Sequence, residues 1–535
     1  MRKKFNQQDL IWIAVFLAVL AVQIWKAHRG PGYTDEHFYL AVADRIARGD
    51  AMLYDLWDIG QLMAFFTFPL VKLYRAFFGG TQGIVLAFRL VYTAMTMGIG
   101  AGIYLKFRKD TPWSVLASAI FMLYTPFNIM APSYNTLAIG FLMIGLLVYP
   151  RDHRSAFRLW LCGVMMAAAV LNSPYFILMY VFLTAVMIRN RRIVPLRSWV
   201  WITAGAVSLA CVFLGFVLSR APLGGVLASL PELVDSAHSA NALMVFAKNA
   251  GRLVLAFGPF ALFFAAETAM ALLWRRKEEK KKLLLDTSVL INTCSIIWVT
   301  LIRPYYPLNG GFTVILVPFA VLGIAACLLY EQDPYYVSCL AASIGLAFCI
   351  SLSTNVGPNS YAAPLIIACA VLALLHHDSR GLRICTVVLV CLLGWYKVSE
   401  TFGNSSFVYH TKLEKGPLAG LYAAEEEAER YEQQLKDIQT INGSEGEEAV
   451  LLSWNCWEYL ALDKRIVQGY TYPYFYSSDD YFRAEDRYLE RFPEKRPALI
   501  AVDKDNPYVH SADEMAERDT EMILDLETVW LFRRK

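Results

Sequence analysis

The sequence predicts a polytopic α-helical membrane protein of about thirteen transmembrane helices, closed by a small α/β domain at its C-terminal end. Three observations carry that expectation. Of 535 residues, 57% are hydrophobic and 18% charged, with mean hydropathy +0.40, which excludes a wholly soluble globular chain. The apolar residues are gathered into runs of roughly 16 to 22, the length that crosses about 30 Å of hydrocarbon as a helix. Short Lys/Arg clusters punctuate the runs, and one choice of parity accounts for all of them. A net charge of +3 is too small to imply a nucleic-acid partner. Nine of the ten cysteines lie in or beside apolar runs, so neither a disulfide framework nor a Cys-based metal site is supported.

The first run, 10–25, follows Arg2, Lys3 and Lys4, which keeps the N-terminus cytoplasmic. A second run, 61–78, cannot span without putting Lys106, Arg108 and Lys109 outside. With Pro69 in its middle and Lys72 and Arg75 near its end, it reads as an interfacial segment, and 84–105 becomes the second span. The remaining spans are 112–131, 134–149, 156–172, 175–188, 198–218, 252–273, 283–302, 312–330, 335–352, 361–376 and 382–396. Cytoplasmic loops then hold Arg151/Arg154/Arg158, Arg189/Arg191/Arg192/Arg197, the 275–282 run and Arg380/Arg383. An odd count of spans places the C-terminus outside. The membrane module is expected over 1–396, with 26–83 as its first external loop, 219–250 as a second external region, and an extracytoplasmic α/β domain over 397–535. In that tail 425–439 and 479–491 read as helices, and 449–454, 498–503 and 528–532 as strands. Parity places Cys456 outside, so a membrane-impermeant maleimide is expected to reach it in intact cells.

The most informative stretch is 32–40, Gly-Tyr-Thr-Asp-Glu-His-Phe-Tyr-Leu, immediately after the first span. Thr34 can cap a helix running to Arg48 and stopped by Gly49, and Asp35 and Glu36 in a first turn suit the helix dipole. Two adjacent carboxylates at a membrane surface can equally take a proton from a hydroxyl or amine. His37 and His28 have no partner at ligand spacing, so a divalent metal is possible but unsupported. The turn Arg303-Pro304-Tyr305-Tyr306-Pro307 reads either as an interfacial aromatic anchor or as a phosphate seat, since Arg binds phosphate oxygens bidentately. Asn135, in Ser133-Tyr134-Asn135-Thr136, is a helix-start residue or a hydrogen-bonding partner for a ligand hydroxyl. The aromatic run 470–476 either packs the tail onto the membrane rim or holds a ligand.

A first span, an external Asp35-Glu36 opening an amphipathic helix, the Gly49-Asp50 turn, Tyr54-Asp55-Leu56-Trp57-Asp58, an apolar segment ending Phe77-Phe78-Gly79, and Arg89 at the next span together resemble the first external loop of GT-C glycosyltransferases. Within that superfamily the likeness is to the protein O-mannosyltransferase and aminoarabinose-transferase branch. It covers residues 30–90, and the GT-C-like layout of spans and tail extends it in outline over the chain. The resemblance implies transfer of a sugar from a polyprenyl-phosphate donor, with membrane lipid as the other partner, to a lipid, glycan or protein acceptor outside a bacterial plasma membrane. It implies Asp35 as catalytic base with Glu36 assisting, Arg303, Tyr306 and Arg89 on the donor phosphate, and Tyr39, Asn135 and Tyr305 on sugar or acceptor. Two departures stand out. Relatives have a Lys-Pro pair where this chain reads Asp58-Ile59-Gly60-Gln61, and often an acid where it has Asn135. The rival readings are a transporter or lipid flippase, which would be expected to show a repeat or mid-bilayer ionisable residues, and a catalytically silent receptor.

Overall fold

Helices occupy every expected apolar run, and the chain ends in a mixed sheet. The computed structural model describes residues 7–32, 34–125, 130–151, 154–189, 195–234, 242–298, 311–330, 334–353, 363–374, 380–402, 404–472, 478–495, 497–506, 509 and 511–535. The first part of the chain runs through α1 (Gln7–Ala27), α2 (Thr34–Arg48), α3 (Ala64–Phe78), α4 (Ile84–Phe107), α5 (Ser114–Leu123), α6 (Tyr134–Val148), α7 (Ala156–Asn172), α8 (Ile177–Arg189) and α9 (Leu196–Leu218). It continues with α10 (Leu223–Val234), α11 (Ala242–Phe257), α12 (Pro259–Trp274), α13 (Glu278–Ile297), α14 (Gly311–Leu329), α15 (Pro334–Ser353), α16 (Ala363–Leu374) and α17 (Arg380–Ser399). Among the described residues α1, α4, α9, α17 and Tyr335–Leu352 of α15 are each long and apolar enough to cross a membrane, and seven further apolar helices are shorter. The chain is thus a polytopic, mostly helical membrane protein.

Burial of small residues sets the closest helix crossing. A Cβ at Gly163 of α7 would lie 1.9 Å from the Ile202 carbonyl oxygen, and one at Gly205 of α9 1.9 Å from that of Trp160. The backbones therefore touch, the packing mode that replaces the hydrophobic effect inside a membrane. The expected 252–273 span is two pieces. Helix α11 ends at Phe257, Gly258 caps the start of α12, and Pro259 opens it, where its missing N–H leaves no bond unmade.

The segment expected to lie at the interface splits as well, into a 3-10 turn over Ile59–Met63 and then α3. Helix α3 buries Ala64, Thr67 and Val71 and exposes Leu70, Leu73, Phe77 and Phe78. Its Arg75 reaches back to Asp44 of α2, with Nη2 2.9 Å from Oδ2.

The tail begins with short antiparallel pairings, β1 (Glu400–Thr401) with β2 (Asn404–Ser405) and β3 (Thr411–Lys412) with β4 (Tyr422–Ala423). Then follow α18 (Glu425–Asn442), β5 (Glu448–Leu452), α19 (Trp457–Ala461), β6 (Arg465–Ile466), α20 (Ser478–Arg491), β7 (Leu499–Asp503), α21 (Ala512–Ala516), β8 (Thr520–Asp525) and β9 (Val529–Arg534). The sheet order is β6-β5-β7-β9-β8, parallel across β6-β5-β7 and antiparallel beyond. Alternation gives it two apolar faces. Ala449, Leu451, Leu499, Ala501 and Leu531 join Tyr431, Leu435 and Ile438 of α18, whereas Val450, Leu452, Ile500, Val502 and Phe532 join Tyr481 and Phe482 of α20.

The first loop is clamped to this tail. Arg45 bonds the Gln468 carbonyl oxygen at 2.6 Å, Arg48 those of Leu462 and Lys464 at 3.0 and 2.7 Å, and Lys495 pairs with Asp55 at 2.5 Å. Trp57, 1% exposed, packs edge-on to Tyr488 at 5.1 Å between ring centroids.

Cys456 is fully buried, so maleimide would not reach it on either side of a membrane, which corrects the expected label. Exposed Glu426 and Lys280 serve instead. With an external tail, Glu426→Cys labels in intact cells and Lys280→Cys only after permeabilisation. The reverse pattern would invert the parity.

Candidate functional site

The end of the bundle where α1 leaves and α2 begins collects several buried polar groups, Glu36, His37 and Arg89 among them. The chain turns between these helices at Gly32, whose φ of +112° is open to glycine but strained for other residues. A Cβ there would also lie 2.3 Å from His37 Nε2 and 2.9 Å from Glu36 Oε2, so the turn is filled by the side chains that follow it.

Glu36 is 1% exposed and Arg89 2%. Their pairing is bidentate, Nε to Oε1 and Nη2 to Oε2 at 2.7 Å each. The remaining arm, Nη1, donates to the carbonyl oxygens of Ala27 (2.9 Å), Gly30 (3.1 Å) and Arg29 (3.2 Å). Arg89 therefore joins α4, the exit of α1 and the first turn of α2. His37 donates from Nε2 to the Pro31 carbonyl oxygen at 3.0 Å, and burial lowers its pKa to about 4, which keeps it neutral at physiological pH.

Asp35 is different. It is half-buried, and among the described residues no hydrogen bond or ion pair holds its carboxylate. Desolvation without compensation raises its pKa to about 6. Asp58 is also raised to about 6 by burial, but it accepts the Thr471 backbone N–H at 3.0 Å and lies beside Arg45. Arg45 in turn is held by Asp50 at 2.8 Å. Asp58 thus fastens the loop to the tail.

One turn along α2, Tyr39 meets Tyr134 edge-on at 5.7 Å between ring centroids. The next residue, Asn135, is 1% exposed, and its amide lies close to the Tyr134 hydroxyl without a well-formed hydrogen bond to any described residue. The helix start there is capped by its neighbours instead, Ser133 and Thr136 exchanging bonds in a capping box. A chain of rings then leads outward through Phe38 and Tyr472 to Trp454, the last pair 4.8 Å apart. Trp454 is 37% exposed.

The structure thus brings Asp35, Glu36, Tyr39, Arg89 and Asn135 to one end of the bundle. Arg303, Tyr305 and Tyr306 lie outside the described residues. Gln61, at the first-loop departure, bonds the carbonyl oxygens of Leu56 and Asp58 at 2.9 Å each and so holds the loop backbone. Sequence reasoning missed Lys26 and Lys397, which arrive at the same end from α1 and α17. A basic residue closing an apolar run was the available signal. Among the described residues no group of three or more His, Cys, Asp or Glu is placed to hold a metal.

No protein-family model matches the sequence, and no curated protein matches it. Among solved structures, the chain is similar to ArnT from Cupriavidus metallidurans bound to undecaprenyl phosphate, at 13% identity over 97% of both chains with a TM-score of 0.41. It is similar to the same protein in the apo state at 12% identity, again over 97% of both chains, with a TM-score of 0.39.

The Gly32 geometry is testable against Gly49, which also has positive φ, +125°, but where an added Cβ would meet nothing within 4 Å. Gly49→Ala carries backbone strain alone, about 1 kcal/mol, whereas Gly32→Ala must also displace His37 and Glu36 and costs about 3 kcal/mol or more. Thermal unfolding in detergent checks the order. Equal losses would mean the His37 contact yields freely.

Proposed function

We propose that the chain is an integral-membrane, inverting glycosyltransferase that moves a sugar from a polyprenyl-phosphate-linked donor to a lipid, glycan or protein acceptor on the external face of the membrane. The observation that carries this reading is Asp35, a carboxylate left without a partner in a desolvated setting and titrating at about 6. Such a group is ionised at neutral pH and basic enough to accept a proton. Tyr39 and the Asn135 amide both lie against Tyr134 and are suited to sugar hydroxyls.

In the reaction the acceptor O–H or N–H gives its proton to an Asp35 carboxylate oxygen as the acceptor atom forms a bond to the anomeric carbon. The bond from that carbon to the phosphate oxygen breaks on the opposite face, and its electron pair leaves with the lipid phosphate. The added charge on the phosphate must meet a cation, a role we give to Arg303, with the Tyr306 hydroxyl donating a hydrogen bond. Arg89 and Glu36 are reassigned in this reading. Their mutual pairing uses the carboxylate and most of the guanidinium, so they hold Asp35 in place and do not touch substrate.

Asp35→Asn keeps the size and removes the charge, and it lowers transfer by about a hundredfold or more, the scale of a lost general base. The same change has a thermodynamic signature. Because the folded state raises the carboxyl pKa from 3.8 to about 6, ionisation opposes folding, and the protonated group's advantage is lost as pH rises through 6. Asp35→Asn therefore gains about 1 to 3 kcal/mol at pH 7.5 and little at pH 4. The assay uses purified protein, radiolabelled polyprenyl-phosphate sugars and a membrane extract as acceptor source. Unaltered turnover in the Asn variant would remove Asp35 from the chemistry.

A further inference from the structure

We infer that the junction of α1, α4, α5 and α17 is a phosphate seat whose binding cation is Lys397, a residue from the far end of the membrane module. The inference rests on the polyprenyl-phosphate reading above and supplies a phosphate contact for a chain that lacks the first-loop Lys-Pro pair.

Lys397 lies in the last turn of α17 and is 1% exposed. Its Nζ donates to Thr125 Oγ1 at 2.5 Å, and that oxygen also accepts from the Tyr92 hydroxyl at 3.2 Å. Among the described residues this is the ammonium's only hydrogen bond, and no carboxylate pairs with it. Two of its three N–H groups remain unused, and an amine buried in this way keeps its proton only when an anion lies beside it.

The charges around it do not supply one. Lys26, Arg89 and Glu36 are close enough to act on Lys397. Glu36 is taken by Arg89. Lys26 is filled by the Glu400 carbonyl oxygen, Thr401 Oγ1 and Ser406 Oγ, the last at 3.0 Å. Three buried basic side chains thus face two acids, Glu36 held by Arg89 and Glu400 bonded by Tyr396, and Lys397 keeps two donors to spare. That surplus fits an anion with several acceptor oxygens, which a phosphate provides and a single carboxylate provides less fully. Glu36 is adjacent to Asp35 in the first turn of α2, so an anion here would sit at the same end of the bundle as the proposed base.

The test uses full-length protein in nanodiscs and reads the binding of farnesyl phosphate by intrinsic fluorescence, with farnesol and inorganic phosphate as comparisons. Farnesyl phosphate is expected to bind well above farnesol, and inorganic phosphate to compete only weakly. Lys397→Met should weaken farnesyl phosphate binding by about tenfold to a hundredfold, the scale of one lost charge-assisted contact. Thr125→Val, which leaves the charge, should weaken it by about fivefold or less. Should Lys397→Met fail to fold, Lys397→Gln keeps a donor for Thr125 and takes its place with the same expectation. Wild-type affinity in a folded Lys397 variant would overturn the seat, as would equal binding of farnesol. Inorganic phosphate binding as tightly as the lipid would overturn the lipid assignment. Transfer by the wild-type protein is measured separately. Lys397-dependent phosphate binding without any sugar transfer would remove the proposed function and keep the seat, whereas full transfer by Lys397→Met at wild-type donor affinity would do the reverse.

Discussion

The buried Glu36–Arg89 pair fixes everything around it. One guanidinium holds the carboxylate of α2 through two parallel bonds and gathers the backbone carbonyls where α1 ends, so three helices are registered at a single point. Removing one partner of such a pair leaves an uncompensated buried charge, at a cost of about 3 to 5 kcal/mol. Its chemical consequence falls on the neighbouring residue. With Arg89 spent on Glu36 and His37 kept neutral by burial, Asp35 has no cation to lower its pKa. Two adjacent acids in one helical turn are thus separated into a structural member and an uncompensated one by what lies opposite each of them.

That separation depends on both ends of the chain. The loop that carries α2 is held against the tail by Arg45, Arg48, Asp58 and Trp57, each bonded or packed onto residues 462–488. Lys26 at the exit of α1 is tied to β1 and Ser406. Phe38 and Tyr39 reach Trp454 through Tyr472, so a ring chain runs from the first-loop helix to an exposed aromatic of the tail. The surfaces that flank this ring chain come from residues more than four hundred positions apart in sequence, such as Tyr39 and Trp454.

Much of this was legible from residue order because it follows from local chemistry. The helix from Thr34 to Arg48 is bounded by a hydroxyl residue and a glycine, and its first-turn acids mark its start. The two long helices of the tail and three of its four longer strands follow from 3.6- and 2-residue alternation, whereas the one-turn helices α19 and α21 carry no such period. Strand β8 was missed because it is an edge strand whose apolar residues, Met522-Ile523-Leu524, are a short run between charged residues with no two-residue alternation. The break at Gly258 is hidden inside continuous hydropathy. Partner choice was not legible at all. Nothing local to Asp35-Glu36 says which acid meets Arg89, and nothing local to Lys397 says that it ends beside Thr125, since both pairings arise from helices far apart in the chain.

Proton acceptance by an unpartnered Asp35 during the proposed transfer is tested most directly by the pH dependence of transfer at limiting acceptor. A base titrating at about 6 gives a rate that is constant above pH 7 and falls tenfold per unit below its pKa. The expected result is that acidic limb, centred near pH 6. A rate unchanged down to pH 4.5 in protein that remains folded would contradict it.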